Sequence, residues 1–575
     1  MKHRHLIFGI LILALAGACS SGKAHLLRPT KTLDPDMANI PEPKSLEENQ
    51  IWDIVDMTFF YQVGKALDLN WVGHKLGRGL GISKGRLADN VNKMDEVPNS
   101  SWYTARHYHH PMSIAALKRG PNLDGGPDLG GKWTIIRGKF EGGTPGFTIR
   151  DRRGDSYIIK FDALGYQEMG SSAEVISTKI LHAAGYFVPQ NTIEFIHPDS
   201  LLIAETVKYV EGGVKRPMTR EDLKHMLANT PRRKDGSVRV LASKYVDGKP
   251  VGVWEYRGRR PDDPNDRVDH QHRRELRGLR TISAWLNDAD RRAANTLAVY
   301  TKDPVSGNQY IKHYIIDMGS TLGSNNIIPH APKYGNEYLF DPRTIAHQYL
   351  TLGFRPKAWE FETGHLNPQF PSVGYFEGEI FEPGDWYPTY ANPAFEFCND
   401  IDAFWGAKIV MSFSDEAIRA IVEEARMSNP AAAEHLIETL IRRRDKIGRH
   451  WFSRINPVDR FRFEADSNLI RFDDLALLAG FAATEETRYE VSFCYDGKEF
   501  AKEKIEGGPK IVLTEALTGM MERFAAQQTR KGETARIFTL RLKTWRGSQA
   551  VPTATTLHFW FDGPLSRILG IERDM

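Results

Sequence analysis

The segment between residues 132 and 185 constrains the fold more than any other part of the chain. Three short apolar runs come first, KWTIIRGKF, FTIRD and SYIIKF, and each is followed by a tight turn or a glycine-rich loop. A stretch with apolar residues at helical spacing follows and ends at Gly185. Turns this short join neighbouring antiparallel strands. The segment therefore predicts an antiparallel sheet followed by a helix.

Beyond this segment, patterns typical of strands and patterns typical of helices occur in separate parts of the chain. Further strands are predicted at NTIEFI, LLIAETVKYV and VRVLASKYV, and a buried helix at ELRGLRTISAWL. Helices are also predicted over residues 219–229, 415–427 and 430–449. After Pro457 the alternation in RFRFEA, RYEVSFCYDG, ARIFTLRLKTW and TTLHFWFDG predicts a C-terminal β domain. The fold class is predicted to be α+β, and 575 residues are too many for one core, so we expect two to four domains.

Charge and cysteine content exclude several functional classes. The chain has 76 basic and 73 acidic residues, for a net charge of +3, without the excess of positive charge that is typical of nucleic-acid binding proteins. Three cysteines are too few for a disulfide scaffold or a cysteine-rich zinc module. Composition thus indicates an ordinary globular protein of several domains, with no nucleic-acid partner.

The N-terminus resembles a bacterial lipoprotein leader. A basic start and the apolar run LIFGILILALAGA precede Cys19, and small residues surround that cysteine. The resemblance implies a signal peptide over residues 1–18, a lipidated Cys19, and a proline-bearing tether over residues 19–44. It also implies a membrane-anchored protein of the cell envelope, at the outer membrane or the periplasmic face. An ordinary signal peptide with a chance cysteine is the alternative. With Cys19 lipidated, Cys398 and Cys494 remain and could form one disulfide in an oxidising compartment.

Residues suited to phosphoryl transfer occur in a definite order along the middle of the chain. The order is a glycine-bearing loop, a strand lysine, a helix glutamate, an Asp-x4-Asn pair after a buried helix, and an Asp-x-Gly after a strand. The residues are Gly142, Gly143 and Gly146, then Lys160, Glu174, Asp290, Asn295 and Asp317. Each motif alone is weak, but the whole series on the predicted elements is specific.

This series resembles the protein-kinase-like fold, in its divergent branch of HipA-like and CotH-like bacterial kinases and phosphoinositide-type kinases. The resemblance covers roughly residues 132–452 and implies a two-lobed domain, with an antiparallel sheet and a helix in one lobe and mostly helices in the other. It implies ATP and Mg²⁺ as cofactors. The remaining segments are residues 45–131, predicted as mixed helix and loop, and residues 453–575, predicted as the β-rich domain.

Phosphoryl transfer needs a phosphate cradle, charge neutralisation and a group that orients the acceptor hydroxyl. Glycines let backbone amides approach phosphates, and Lys160 is implied to contact phosphate oxygens while Glu174 holds its amine. Glu168 is the rival for that glutamate. Asn295 and Asp317 are predicted Mg²⁺ ligands, since both offer hard oxygen atoms. Asp290 is predicted to accept the proton of the acceptor.

The nucleotide base is expected to lie against the backbone after a core strand. Tyr245 and Val246, after VRVLASK, are the preferred segment, and Val210 with Glu211 are the alternative. Two departures from the family pattern are that no histidine precedes Asp290 and that Met318 replaces a phenylalanine after Asp317.

The sequence therefore predicts an envelope lipoprotein with a phosphotransferase domain that acts on an unidentified hydroxyl acceptor, which could be a protein, a lipid or a saccharide. The periplasm is poor in ATP, which leaves an alternative open: a pseudokinase or structural lipoprotein that binds partners without catalysis. Retention of Lys160, Asp290, Asn295 and Asp317 favours an active site.

Overall fold

The computed structural model describes residues 36–47, 50–69, 73, 85–138, 146–211, 214–361, 370–527 and 535–575. The predicted leader with Cys19, and Gly142 and Gly143, lie outside this part of the chain. Sheets and helices both occur, which confirms the predicted α+β class. Beyond residue 31 the chain divides into two compact units. The larger comprises Thr32–Ala88 and Pro98–Ile447, and the smaller comprises Asp89–Val97 and Gly448–Met575. Within the described residues no helix is long and apolar enough to cross a membrane.

A six-stranded sheet forms the first half of the larger unit. Its strand order is β4-β8-β3-β2-β1-β5, and all neighbours are antiparallel except β1 and β5, which are parallel. The strands are β1 (Trp133–Gly138), β2 (Gly146–Arg150), β3 (Ser156–Phe161), β4 (Asn191–Ile196), β5 (Leu201–Ile203) and β8 (Val238–Lys244). The predicted meander of three strands is therefore present as β1 to β3.

Side chains alternate between the two faces of this sheet, as the period of a strand requires. On β3, Tyr157 and Ile159 are buried in a core with Trp133 and Phe147, on the opposite face from Lys160. A second small cluster contains Val175 and Leu241, so α1 (Met169–Ala184) covers the face that carries Lys160. This packing directs a charged strand residue toward a buried helix.

One predicted strand is wrong. LLIAETVKYV forms two strands, β5 and β6 (Lys208–Glu211), because residue 204 turns away after β5 has paired with β1. The Ala204 amide donates to the Ile135 carbonyl at 3.0 Å and the Val207 amide to the Ala204 carbonyl at 3.0 Å. β6 then pairs only with β7 (Val214–Pro217). A turn of four ordinary residues has no glycine or proline to mark it in the sequence.

Helices dominate the second half of the larger unit, around the buried α2 (Arg274–Leu286). Gly278 on α2 faces the ring of Trp405, and a Cβ there would clash with that ring, so glycine permits the close approach of the two helices. The other elements are a short β9 (Lys249–Pro250), a hairpin of β10 (Thr296–Lys302) and β11 (Gln309–Ile315), the small pair β12 (Ser324–Asn325) and β13 (Ile328–Pro329), and the helices Gln50–Val55, Tyr61–Leu67, Ile114–Arg119, Arg220–Ala228, Pro342–Thr351, Pro393–Glu396, Asp400–Met411, Asp415–Glu423 and the start of Pro430–Phe452. A π-helical turn, Asp56–Phe60, joins the first two of these helices.

The smaller unit contains two sheets and its own apolar core. A sheet of order β17-β16-β19-β21-β22, with β20 beside β19, and a sheet of order β14-β15-β18 enclose buried residues such as Val491, Leu540 and Phe559. The strands are β14 (Val458–Glu464), β15 (Leu469–Asp474), β16 (Thr487–Tyr495), β17 (Lys498–Ile505), β18 (Lys510–Val512), β19 (Ile537–Arg546), β20 (Gln549–Ala550), β21 (Thr555–Trp560) and β22 (Arg567–Arg573), and the helices are Leu475–Leu478 and Glu515–Ala526. All four C-terminal runs predicted as strands are strands.

Candidate active site

Lys160 lies near the centre of the sheet of the larger unit. It is opposite Gly146 on β2 and opposite Leu241 on β8. Its Nζ donates to Glu174 Oε2 on α1 at 3.2 Å and to Asp317 Oδ1 at 3.1 Å. Three residues that are far apart in the sequence thus meet at one ammonium group.

The electrostatics of this cluster keep the lysine charged. Burial works against the ammonium form, but the carboxylates of Asp317 and Glu174 outweigh it and raise the pKa of Lys160. Burial raises the pKa of Glu174, and the charge of Lys160 opposes that rise. The Glu174 side chain is 2% exposed, whereas that of Asp317 is 41% exposed. Asp317 therefore has the more solvent-exposed carboxylate of the two.

The rival glutamate occupies another position. Glu168 lies just before α1, and its Oε2 accepts a hydrogen bond from the Ser428 amide at 2.8 Å. Glu174 is in the second turn of α1 and also receives hydrogen bonds from the Asn191 amide side chain at 3.3 Å and from the Met318 backbone. The structure thus brings Glu174, the preferred residue, to Lys160.

The loop after β11 has a tightly constrained backbone at Asp317. Asp317 has a φ of 54°, which lies in the left-handed backbone region. Residues other than glycine, asparagine and aspartate rarely adopt this region. Two residues later, Gly319 packs on Asn326 so closely that a Cβ would overlap the Asn326 amide oxygen. With this backbone, the Asp317 carboxylate accepts the hydrogen bond from Lys160.

Asp290 and Asn295 face each other on the loop that follows α2. The Asn295 Nδ2 donates to the Asp290 carbonyl at 2.7 Å and to Asp290 Oδ2 at 3.0 Å. Both amide hydrogens are used in this way, so Oδ1 of Asn295 is the atom that remains for a cation. Burial raises the pKa of Asp290, while Arg292 and Asn295 oppose the rise. The Asp290 side chain is 28% exposed and remains accessible to an acceptor.

Asp288 and Arg291 are important residues of this loop to which our sequence reasoning assigned no role. The Arg291 guanidinium donates to both Asp288 oxygens, at 2.8 and 3.3 Å, and both side chains are 1% exposed. It also donates to the carbonyl oxygens of Asn295, Ile316 and Asp317. The spacing Asp-x-x-Arg within NDADRR is the signal that could have identified the pair.

Arg292 connects the loop to the N-terminal part of the unit. Its Nε donates to Asp290 Oδ1 at 3.0 Å, and its Nη1 donates to Asp53 Oδ2 at 3.1 Å. The guanidinium also lies 5.5 Å from the centre of the Tyr390 ring. A helix that the sequence analysis left without a function therefore contacts the neighbour of Asp290.

The segment predicted to contact the nucleotide base directly follows β8, the strand beside β3. The Tyr245 amide donates to the Ser156 carbonyl at 3.0 Å, and its hydroxyl lies 3.3 Å from the Thr148 hydroxyl. Tyr245 is 45% exposed, and Val246 is partly exposed. The alternative, Val210 and Glu211, lies on β6, which pairs with β7 outside the main sheet. The base-binding role of Tyr245 and Val246 stays a prediction.

The residues present fit a divalent cation with bound phosphates. Asp317 offers a partly exposed carboxylate and Asn295 an amide oxygen, and hydrogen bonds of one arginine join their backbones. In the described part of the chain no group of three or more His, Cys, Asp or Glu side chains could hold a metal ion. Two protein ligands are enough for Mg²⁺, which usually takes its other ligands from water and substrate phosphates.

Comparisons with solved structures give faint similarities, of which three are to kinases. No family model and no curated protein matches the chain. The solved Helicobacter pylori proinflammatory kinase CtkA is 13% identical over 55% of this chain and 99% of its own, with a TM-score of 0.29. The Golgi casein kinase with Mn/ADP bound is 11% identical over 73% and 94%, with a TM-score of 0.27. A further Golgi casein kinase structure is 10% identical over 74% and 96%, with a TM-score of 0.28. TM-scores this low carry no argument, so the functional interpretation rests on the geometry of the site.

Proposed function

We propose that the protein is a phosphotransferase with a two-lobed, kinase-like domain, which uses ATP and Mg²⁺ to phosphorylate a hydroxyl acceptor at the cell envelope. The observation that carries the proposal is the meeting of Lys160, Glu174 and Asp317, which come from a strand, a helix and a loop after a second sheet. A structural ion pair needs only two of these residues. The third, Asp317, keeps a partly exposed carboxylate beside the amine.

The roles follow from the position of each group. ATP would supply the phosphoryl group, and Mg²⁺ would neutralise charge on its phosphates. Lys160, held by Glu174, offers a fixed positive charge to phosphate oxygens. Asp317 and Asn295 Oδ1 are the protein oxygens available to the cation. Gly146 lies opposite Lys160 on β2 and comes three residues after Gly143 in the sequence; with Gly142 and Gly143 it is the proposed phosphate cradle.

Asp290 would orient the acceptor hydroxyl and take its proton. Its carboxylate is held by Asn295 and Arg292 on either side, which leaves little freedom to rotate. A general base must be placed before it can be effective, because proton transfer needs an approach within hydrogen-bond distance. The same two partners stabilise the ionised form that a base requires.

Nucleotide binding gives the first test of this proposal. In calorimetry with ATP at millimolar Mg²⁺, we expect binding by the wild-type protein and loss of the metal-linked part of the affinity in Asp317→Asn, because an amide neutralises less of the charge of the cation. Asp303→Asn, at the tip of the β10–β11 hairpin, is the matched control. Absence of ATP binding by the wild type would overturn the proposal. Binding without transfer of labelled phosphate to any envelope fraction would favour the pseudokinase alternative.

We further infer that the protein is anchored by lipid at Cys19. The support is the leader pattern of residues 1–21. Mass spectrometry of the purified N-terminal peptide is expected to find an acylated Cys19. An unmodified cysteine, or a different mature start, would overturn the anchor without affecting the phosphotransfer proposal.

A further inference from the structure

The first helical segment of the larger unit, Gln50–Leu67, is inverted relative to an ordinary surface helix. Its three charged residues point toward the protein. Asp53 pairs with Arg292 at 3.1 Å, Asp56 pairs with Arg257 at 3.2 Å, and Lys65 pairs with Glu396. A helix on a globular protein normally turns its charges to water and its apolar side chains to the core. The outward side of this segment therefore needs an explanation.

Large apolar side chains occupy that outward side. Ile51 is 76% exposed and Trp52 is 58% exposed, and they continue along the helix into further exposed residues. The other exposed members in and directly after this segment are Val55, Phe59, Phe60, Leu67 and Leu69. No charged residue of the helical segment faces outward among them. The segment thus presents a stripe that is apolar and rich in aromatic rings.

A second segment of the same unit adds to this surface. In and after the helix Pro342–Thr351, Leu350 is 86% exposed and Phe354 is 85% exposed. The other exposed apolar residues of this segment are Leu339, Ile345, Tyr349, Leu352 and Phe361. Phe59 contacts Phe340 with ring centroids 5.6 Å apart, so the two segments adjoin. We call the exposed apolar residues of both segments the apolar face.

The apolar face holds about half of the large hydrophobic residues that are exposed in the described chain. Single exposed apolar residues are common, but contiguous apolar patches on soluble proteins mark sites of interaction. Each fully exposed Leu or Phe forgoes about 1.5–3 kcal/mol of burial free energy. The fourteen residues of the apolar face are between 39% and 86% exposed and lie on two adjoining segments, which favours contact with an apolar partner.

We propose that the apolar face lies on the surface of a lipid bilayer. Aromatic side chains such as Trp52, Phe59, Phe60 and Tyr349 suit the boundary between headgroups and acyl chains, where an amphipathic helix lies in the membrane plane. The tether favours this partner over a second copy of the chain. Residues between Cys19 and Asp36 can span roughly 60 Å when extended, so a lipid on Cys19 would hold the unit within reach of the membrane.

Membrane contact of this face would place the candidate active site near the bilayer. Asp53 lies on the inward side of the helical segment and holds Arg292, which contacts Asp290. A helix with its side chains is about 10 Å across, so the Arg292 side chain and about one helix separate Asp290 from the apolar face. Acceptors presented at a membrane surface would then be the nearest to Asp290. This consequence rests on the proposed phosphotransfer, whereas the membrane contact does not.

Vesicle sedimentation tests the contact without the lipid anchor. The mature chain with Cys19→Ser, starting at residue 19, is mixed with vesicles of phosphatidylethanolamine and phosphatidylglycerol in a three-to-one ratio. We expect the protein to sediment with the vesicles, and Leu350→Ser with Phe354→Ser to weaken the partition at least about tenfold, from the loss of two buried apolar side chains. Val305→Ser with Leu565→Ser, exposed at 93% and 69%, is the matched control.

Each outcome decides the proposal. A Cys19→Ser chain that stays in the supernatant, or equal losses when either double substitution is added to it, would overturn the proposal. A different result would assign the apolar face to a second copy of the chain. In that case the protein does not bind vesicles, and light scattering shows a dimer only when Leu350 and Phe354 are intact. Because the assay uses neither acylation nor ATP, its failure is distinct from failure of the anchor or of the phosphotransfer.

Discussion

Arg291 and Asp288 form a buried two-pronged ion pair, with Nε–Oδ2 and Nη2–Oδ1 distances of 2.8 and 3.3 Å. The remaining hydrogens of the guanidinium go to the carbonyls of Asn295, Ile316 and Asp317. The Ile316 amide returns a hydrogen bond to Asn295 at 3.0 Å. One side chain thus joins the loop of Asp290 to the loop of Asp317 through backbone carbonyl groups.

Arg291 is therefore a positioning residue. We expect Arg291→Lys to lower stability by about 1–3 kcal/mol, because an ammonium cannot reproduce the planar set of donors to Asp288 and three carbonyls. The KM for Mg²⁺ should rise in the same variant, since Asn295 and Asp317 lose their common support. Thermal unfolding and a Mg²⁺ titration of activity measure the two effects. A drop in Tm with an unchanged Mg²⁺ dependence would leave Arg291 with a purely structural role.

Asp290→Ala is expected to slow phosphoryl transfer by roughly 10²–10⁴-fold while ATP affinity changes little, as expected when a general base is removed. Asp303→Ala on the hairpin tip is the control. Since burial raises the pKa of Asp290, its ionised form is lost at a higher pH than for an ordinary aspartate. The wild-type rate should therefore fall on the acid side of the pH profile. The midpoint of this fall should lie at a higher pH than the pKa of an ordinary aspartate. Turnover of Asp290→Ala equal to wild type would remove its catalytic assignment.

We expect substitutions of Lys160 and of Glu174 to reduce the rate of phosphoryl transfer by different amounts. Lys160→Ala should reduce the rate by about 10²–10³-fold and weaken ATP binding, because a fixed charge on the phosphates is lost. For Glu174→Gln we expect a loss of about 10–100-fold, since the amine remains but is less well placed. Lys179→Met provides a control on α1: that lysine is also buried, but it donates to the carbonyls of Lys118 and Arg119. Steady-state kinetics at several ATP concentrations separate the effects, and an equally damaging Lys179→Met would point to helix stability instead.

His330 makes stability depend on pH. It is 4% exposed and stacks on Tyr334, and burial lowers its pKa to about 3. In the unfolded chain the pKa of this histidine is about 6.5. Below that pH the unfolded chain binds a proton that the folded chain does not bind, so stability falls as pH drops toward 3. His330→Gln should reduce this loss by about 0.7 kcal/mol per pH unit near pH 6.5, rising to about 1.4 kcal/mol per pH unit near pH 5. Denaturant unfolding at several pH values measures the slope, with His347→Gln at an exposed position as control. An unchanged slope would contradict the prediction.

Local periodicity was enough to predict the strands and helices that carry Lys160, Glu174 and the loop of Asp290. The strands β1 to β3, the helix α1 and the buried α2 each have a clear period of two or 3.6, and each lies close to its predicted position. The break between β5 and β6 could not be read in this way, since pairing with β1 decides where β5 ends. The order of motifs also predicted Lys160, Glu174, Asp290, Asn295 and Asp317 as members of one site, and the structure joins them in two neighbouring clusters.

The sequence by itself determined which residue types stand on which elements, because backbone period and side-chain chemistry act over a few neighbours. Only the tertiary structure decided which of these groups meet. It paired Arg291 with three carbonyls from two loops, set Arg292 between Asp290 and Asp53, and turned the charges of the first helical segment inward. Such contacts depend on distances between atoms far apart in the chain, and packing of the whole unit sets those distances. An outward-facing Phe59 or Leu350 has the same local pattern as a buried one, so its exposure is also a property of the fold.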